Sequence, residues 1–123
     1  MTQSVLVVDD EPNIVLSLEF LMKQMDLDVR IAEDGDAALQ EIGRQAPDLV
    51  LLDVMMPKRD GFSVCRAIRA NAAWDDVKII MLTAKSRDEE RERGLAAGAD
   101  DYIVKPFSTR DVRNRVGKIL KLD

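Results

Sequence analysis

The stretch VLVVDDE, Val5–Glu11, sets four consecutive apolar residues directly against three acids. An unbroken apolar run of this length suits a strand covered on both faces rather than one with a wet side. Ending it with adjacent carboxylates costs free energy, because both repulsion and desolvation oppose the charged forms. The strand therefore points to a rim where negative charge is used.

Working outward, Leu49–Leu52 and Ile79–Leu82 are runs of the same kind and are read as the other central strands. Val29–Ala32, interrupted by Arg30, and the brief Tyr102–Val104, after Asp100 and Asp101, are read as edge strands. Helical spacing fills the gaps. Ile14, Leu18, Leu21, Met22 and Met25 share one face, with Pro12 in the first turn after an acidic cap. A second helix begins near Gly35, carries Ala38, Leu39 and Ile42, and ends near Pro47; a third carries Phe62, Cys65 and Ile68 after Asp60 and Gly61. The last carries Val112, Val116, Ile119 and Leu120, with Ser108 as its cap and Asp111 in its first turn. The fourth helical segment, SRDEERERGLAAGAD, is charged nearly all round; it offers little to the core before Leu95 and Ala96, and Gly94 and Gly98 read as helix-ending and turn positions. It is expected to be the most loosely held helix. Strict alternation predicts an α/β fold: a doubly wound, five-stranded parallel sheet of order 2-1-3-4-5, flavodoxin-like, with helices on both faces.

The bulk properties narrow the function. With 123 residues, 46% of them hydrophobic, the chain has material for one core and is read as a single domain over 1–123. A net charge of -5 argues against direct nucleic-acid contact by this domain. No apolar run approaches the roughly 20 residues that span a bilayer, and no signal-peptide pattern follows Met1, so a cytoplasmic protein without membrane contact is expected. The single cysteine, Cys65, cannot form a disulfide within the chain, and the absence of histidine removes the usual triads and most zinc sites. Carboxylates are the chief chemical resource.

In a parallel sheet the C-terminal strand ends share one edge, which is the usual ligand site. Asp9 and Asp10 follow the first strand, Asp53 the third, Thr83 the fourth and Lys105 the fifth. The predicted order makes the first and third strands neighbours, gathering Asp9, Asp10 and Asp53. Three such carboxylates raise one another's pKa unless a cation joins them, and an all-oxygen cluster suits Mg²⁺ or Mn²⁺. Taken alone, Asp9 and Asp10 before Glu11 and Pro12 also read as a helix cap. Asp53 resists that reading, since Asp60 is already available to cap the next helix. A cofactor-phosphate site of the flavodoxin type fits poorly, because the loop after the first strand is acidic and neither GxxxxGK nor GxGxxG occurs.

The motifs VDDE, LVLLDVMMP, IIMLTA and ADDYIVKPF resemble, in order and spacing, those of the receiver domain of bacterial response regulators, and they cover essentially the whole chain. The resemblance implies that Asp53 is phosphorylated from a phosphohistidine on a sensor histidine kinase or phosphotransfer protein. Asp9, Asp10 and the backbone carbonyl of Met55 would join Asp53 in holding Mg²⁺, Thr83 would donate to the acyl phosphate, and Lys105, before a cis Pro106, would face inward. Tyr102 becomes the switch partner of Thr83, altering the surface of the fourth helix, fifth strand and fifth helix. Arg87, Arg91, Asp101, Arg110, Asp111 and Arg115 resemble a face used for phosphorylation-dependent homodimers. Met55 and Lys85 fall at positions that tune phosphoryl lifetime, and a thioether cannot orient an attacking water, so slow self-dephosphorylation is expected. The rival reading is a haloacid dehalogenase-like phosphohydrolase, which uses a similar set of groups; its nucleophile, however, sits in a D-x-D pattern after the first strand, which VDDEP lacks.

Overall fold

The computed structural model describes residues 2–56, 59–84 and 88–122. Five parallel strands, β1 (Ser4–Val8), β2 (Asp28–Ala32), β3 (Leu49–Asp53), β4 (Lys78–Thr83) and β5 (Asp101–Val104), alternate with α1 (Pro12–Gln24), α2 (Gly35–Arg44), α3 (Gly61–Arg69), α4 (Asp88–Ala96) and α5 (Thr109–Ile119). The sheet order is β2-β1-β3-β4-β5, as alternation predicts. A short 3₁₀ turn at Ala72–Trp74, not anticipated from the sequence, joins α3 to β4.

The apolar runs do what their continuity implies. Leu6, Val8, Val50, Leu52, Ile79 and Met81 pack beneath α2 and α3 with Ala38, Ile42, Phe62, Cys65 and Ile68. Their strand neighbours Val5, Val7, Leu49, Leu51, Ile80 and Leu82 pack on the opposite face against Leu18, Leu21 and Met22 of α1 and Val112 and Val116 of α5. Period-2 alternation thus feeds two separate cores. Each fully buried leucine or valine contributes about 1.5–3 kcal/mol relative to exposure.

The starts of α2, α3 and α5 follow local chemistry. Asp60 accepts from the Ser63 amide at 2.8 Å, Asp34 from that of Ala37 at 2.8 Å, and Ser108 from that of Asp111 at 3.0 Å, each satisfying an orphan donor. At α1 the expected acidic cap is different: Glu11 occupies the cap position but makes no side-chain cap bond. Pro12 supplies the pre-set φ of the first turn instead, and the Asp9 carboxylate takes the Glu11 amide at 2.9 Å.

The fourth helix also departs from the sequence reading. Leu95 is 43% exposed and Ala96 lies outward, whereas Gly94 and Ala97 face the interior. Gly94 is a packing position rather than a terminator: a Cβ there would stand 3.4 Å from Met81 and 3.8 Å from Phe62. Gly98, at φ +107°, makes the turn. Among the described residues of α4 the buried one is Gly94, with Ala97 buried just beyond its end, so small residues make the inward contact there.

Gly61 shows how tightly the rim is built. A Cβ there would lie 2.3 Å from the carbonyl oxygen of Asp53 and 2.9 Å from the Val54 Cα, while its amide donates to the Val54 carbonyl at 2.9 Å. Gly61→Ala is expected to destabilise the fold by about 1–3 kcal/mol through this backbone clash, read as a lower urea midpoint at unchanged slope. Gly43→Ala, where nothing lies within 4 Å, should leave the midpoint level or raise it.

Candidate functional site

The parallel register brings the expected residues to one edge. Val8 pairs with Leu52, Asp53 with Leu82, and Thr83 with Val104, so Asp53 and Thr83 are the last residues of β3 and β4. Asp9 and Asp10 follow β1 directly, and Lys105 follows β5 with a cis peptide to Pro106. Asp9, Asp10 and Asp53 each offer a carboxylate oxygen within 4.8 Å of the other two. Asp9 and Asp53 are buried while Asp10 is exposed, which leaves one side open to water. Three hard oxygen donors with a wet approach fit a small divalent cation.

Lys105 reaches into this cluster from the far side of the sheet end. Its Nζ donates to Asp9 Oδ2 at 2.9 Å and lies 3.5 Å from Asp53 Oδ1 and 3.6 Å from Glu11 Oε1, with only 11% of the side chain exposed. Burial by itself lowers the Lys105 pKa, but the Asp9 hydrogen bond and the charges of Asp53, Asp9 and Glu11 outweigh it and hold the group above the usual lysine range. The second oxygen of Asp9 accepts the Glu11 amide, and Asp53 Oδ1 accepts that of Met55 at 3.2 Å. Glu11 was not singled out from the sequence as a partner of this lysine; its adjacency to Asp10 in VDDE was the available signal.

Asp53 carries the electrostatic load. Burial first, and the neighbouring Asp9 charge second, push its carboxyl up to about 6 from 3.8, against the pull of Lys105 and the Met55 amide. Desolvation therefore leads, ahead of the carboxylate crowding emphasised by the sequence reading.

Thr83 is buried beside a cavity of only about 10 Å³ shared with Val54, Met81, Gly94, Leu95 and Tyr102. Tyr102 is half-buried at the outer wall, between the guanidinium groups of Arg91 at 5.3 Å and Arg115 at 5.6 Å from the ring centroid. Arg115 is in turn bound to Asp101 at 2.8 Å and Asp111 at 3.1 Å. Five of the six residues of the charged face are thereby placed on α4, β5 and α5, with Arg110 exposed at the start of α5; Arg87 and Lys85 lie outside the described residues. Met55 is 74% exposed at the mouth of the site.

A raised Asp53 pKa has a defined consequence for stability. Between the unfolded and folded values the native state binds the extra proton, so stability falls as pH rises from about 4 to 6 and stays reduced above. In metal-free buffer Asp53→Asn is expected to be more stable than the wild type by about 1–3 kcal/mol above pH 6. The difference should vanish toward pH 4 in denaturant titrations; a pH-independent difference contradicts the raised carboxyl.

The family profile of the response regulator receiver domain matches residues 5–117. The chain is 45% identical over 121 residues to the alkaline phosphatase synthesis transcriptional regulatory protein PhoP of Bacillus subtilis, covering 98% of this chain and 50% of that protein. It thus spans about half the length of that curated relative. The chemotaxis response regulator CheY4 of Vibrio cholerae superposes with a TM-score of 0.92 at 28% identity, over 97% of this chain and 99% of that one. The receiver domain of the sensor histidine kinase PA1611 from Pseudomonas aeruginosa, solved with magnesium coordinated in its active-site cleft, gives 0.89 at 32% identity over 98% and 99%. Among the described residues no helix is long and apolar enough to cross a membrane. With an acidic cluster of the kind that Mg-dependent aspartate phosphorylation requires, this chain belongs to the response regulator receiver family, phosphoacceptors of two-component signalling rather than enzymes with a turnover substrate of their own.

Proposed function

We propose that residues 1–123 form one cytoplasmic receiver domain in which Asp53 accepts a phosphoryl group from the phosphohistidine of a sensor histidine kinase or phosphotransfer protein. The observation that carries this reading is the single juxtaposition of Asp9, Asp10 and Asp53 within 4.8 Å with the Lys105 ammonium 3.5 Å from Asp53. Mg²⁺, or Mn²⁺ with the same donors, held by Asp9, Asp10, Asp53 and the Met55 carbonyl, would neutralise the acids and draw charge from the phosphoryl oxygens. The chain's own groups do the rest. A carboxylate oxygen of Asp53 forms the new O–P bond as the N–P bond to the donor histidine breaks. Lys105 offsets charge on the transferring oxygens, and the Thr83 hydroxyl donates to one of them.

The switch follows from space and charge. The cavity between Thr83 and Tyr102, about 10 Å³, is too small for a phenol ring, so Tyr102 turns inward only after Thr83 moves toward the phosphoryl group. Two cation–π contacts hold the ring outward until then, each contributing about 0.5–1 kcal/mol at an exposed site. Phosphorylation raises the population of the inward form, and α4 gives way with it. The released Arg91 and Arg115, with Asp101, Asp111, Arg110 and Arg87, then form the face of a symmetric homodimer.

Incubation with acetyl phosphate and Mg²⁺ is expected to add one phosphoryl mass to the wild type and none to Asp53→Ala by intact-mass analysis. Chelation of Mg²⁺ should abolish the addition, and labelling of Asp53→Ala at wild-type level removes the assignment. For the dimer, beryllofluoride with Mg²⁺ should double the mass seen by light scattering in the wild type but not in a variant combining Arg115→Ala with Asp101→Ala; an unchanged monomer mass counts against it.

A further inference from the structure

The sulfur inventory of the described residues is sharply uneven. Cys65 is fully buried, its thiol hydrogen-bonded to the Ala97 carbonyl and pushed up to about 11, mainly by burial, so it carries almost no reactive thiolate. Met22 and Met81 are 0% and 2% exposed in the two cores. Met25 and Met56 are half-covered, packed against one core each. Met55 alone among them presents its thioether to solvent, 74% exposed, and it does so two residues from Asp53, with its own amide on the Asp53 carboxylate.

We infer that Met55 is a reversible oxidation site through which peroxide-class oxidants shorten the life of the phosphoryl group on Asp53. This rests on the phosphoacceptor reading above. The chemistry balances: the thioether sulfur gives an electron pair to the terminal oxygen of the peroxide, the O–O bond breaks, the sulfoxide S–O bond forms, and the proton on that oxygen passes to the departing oxygen, which leaves as water from hydrogen peroxide or as an alcohol from an alkyl hydroperoxide. A protein thiol acting through a methionine sulfoxide reductase reverses it. The change is a change of polarity at one place. A thioether is a weak acceptor and holds no water in a fixed position, whereas a sulfoxide oxygen is a strong one. Beside an acyl phosphate at Asp53 it can take a hydrogen bond from a water and hold its oxygen toward phosphorus, the role that positioned acceptors play in hydrolysis.

Among the described methionines Met55 is the most open to the oxidant and the one whose oxidation disturbs least. The side chain of Met55 lies outside both cores, so conversion to the polar sulfoxide removes no packing. Met22 and Met81, by contrast, react only when the fold opens.

Dilute hydrogen peroxide applied to the unphosphorylated protein, followed by peptide mass mapping, should place the first added oxygen on Met55. The oxidised protein, labelled with acetyl phosphate and Mg²⁺, should then lose its phosphoryl group several-fold faster than the untreated protein, and sulfoxide reductase treatment should restore the slow rate. Met55→Gln, a permanent polar substitute of similar length, should be fast without oxidant, and the rate of Met55→Leu should not respond to peroxide. First oxidation at Met25 or Met56, or a Met55 sulfoxide with an unaltered rate, overturns the proposal. Failure of the untreated protein to label at all instead sinks the phosphoacceptor reading, and the rate effect with it, while the order of oxidation stays readable from the mapping.

Discussion

One buried ammonium underlies the rest of the structure. Lys105, itself nearly covered, sits between Asp9 and Asp53, two carboxylates with almost no access to water. Removing such charges from solvent is costly, and their mutual attraction repays it only when geometry and further hydrogen bonds satisfy the remaining lone pairs. Here the Glu11 and Met55 amides supply those bonds. The compensation is incomplete at Asp53, whose carboxyl remains raised. The rim is thus held in a state of unsatisfied charge that favours whatever brings positive charge to it, and the same deficit that weakens the fold provides affinity for a cation.

Most of this was legible in the sequence because it rests on pattern. Continuous apolar runs, strict alternation and the acids at strand ends follow from periodicity and from the common direction of parallel strands, so Asp9, Asp10, Asp53, Thr83 and Lys105 could be assembled without coordinates. What escaped the sequence depends on helix rotation and on distances. Leu95 looks like the natural core residue of α4, but the helix turns Gly94 inward, where a Cβ would stand at ordinary contact distance from Met81 and Phe62. Hydrophobicity gives no warning of which way a helix is rotated. Likewise, the dominance of burial over repulsion at Asp53 is a property of depth, which no spacing encodes, and the Arg91–Tyr102–Arg115 stack joins residues from three elements whose mutual tilt the sequence leaves open.

The contacts at the site and at the charged face differ in kind. Near Asp53 the connections are short and rigid: a glycine against a carbonyl, a lysine against carboxylates. Around Tyr102 they are softer, with two guanidinium groups over a ring and, among the described residues, Gly94 and Ala97 as the buried positions of the adjoining segment. The proposed switch would draw on this division, since a two-state element needs a small shift at one site to select between discrete arrangements elsewhere.

The assignment of neighbouring strand residues to opposite cores carries a lesson for how such a chain tolerates insertion and deletion. Losing one residue between Leu49 and Asp53 would not merely shorten β3: it would exchange its inward sets between the two layers and draw the terminal aspartate away from its partners at the rim. Length variation among descendants of this sequence should therefore collect in the connections at the N-terminal edge of the sheet and be purged from β1, β3 and β4, so that the spacing of these strands is inherited more faithfully than the identity of the aliphatic residues within them.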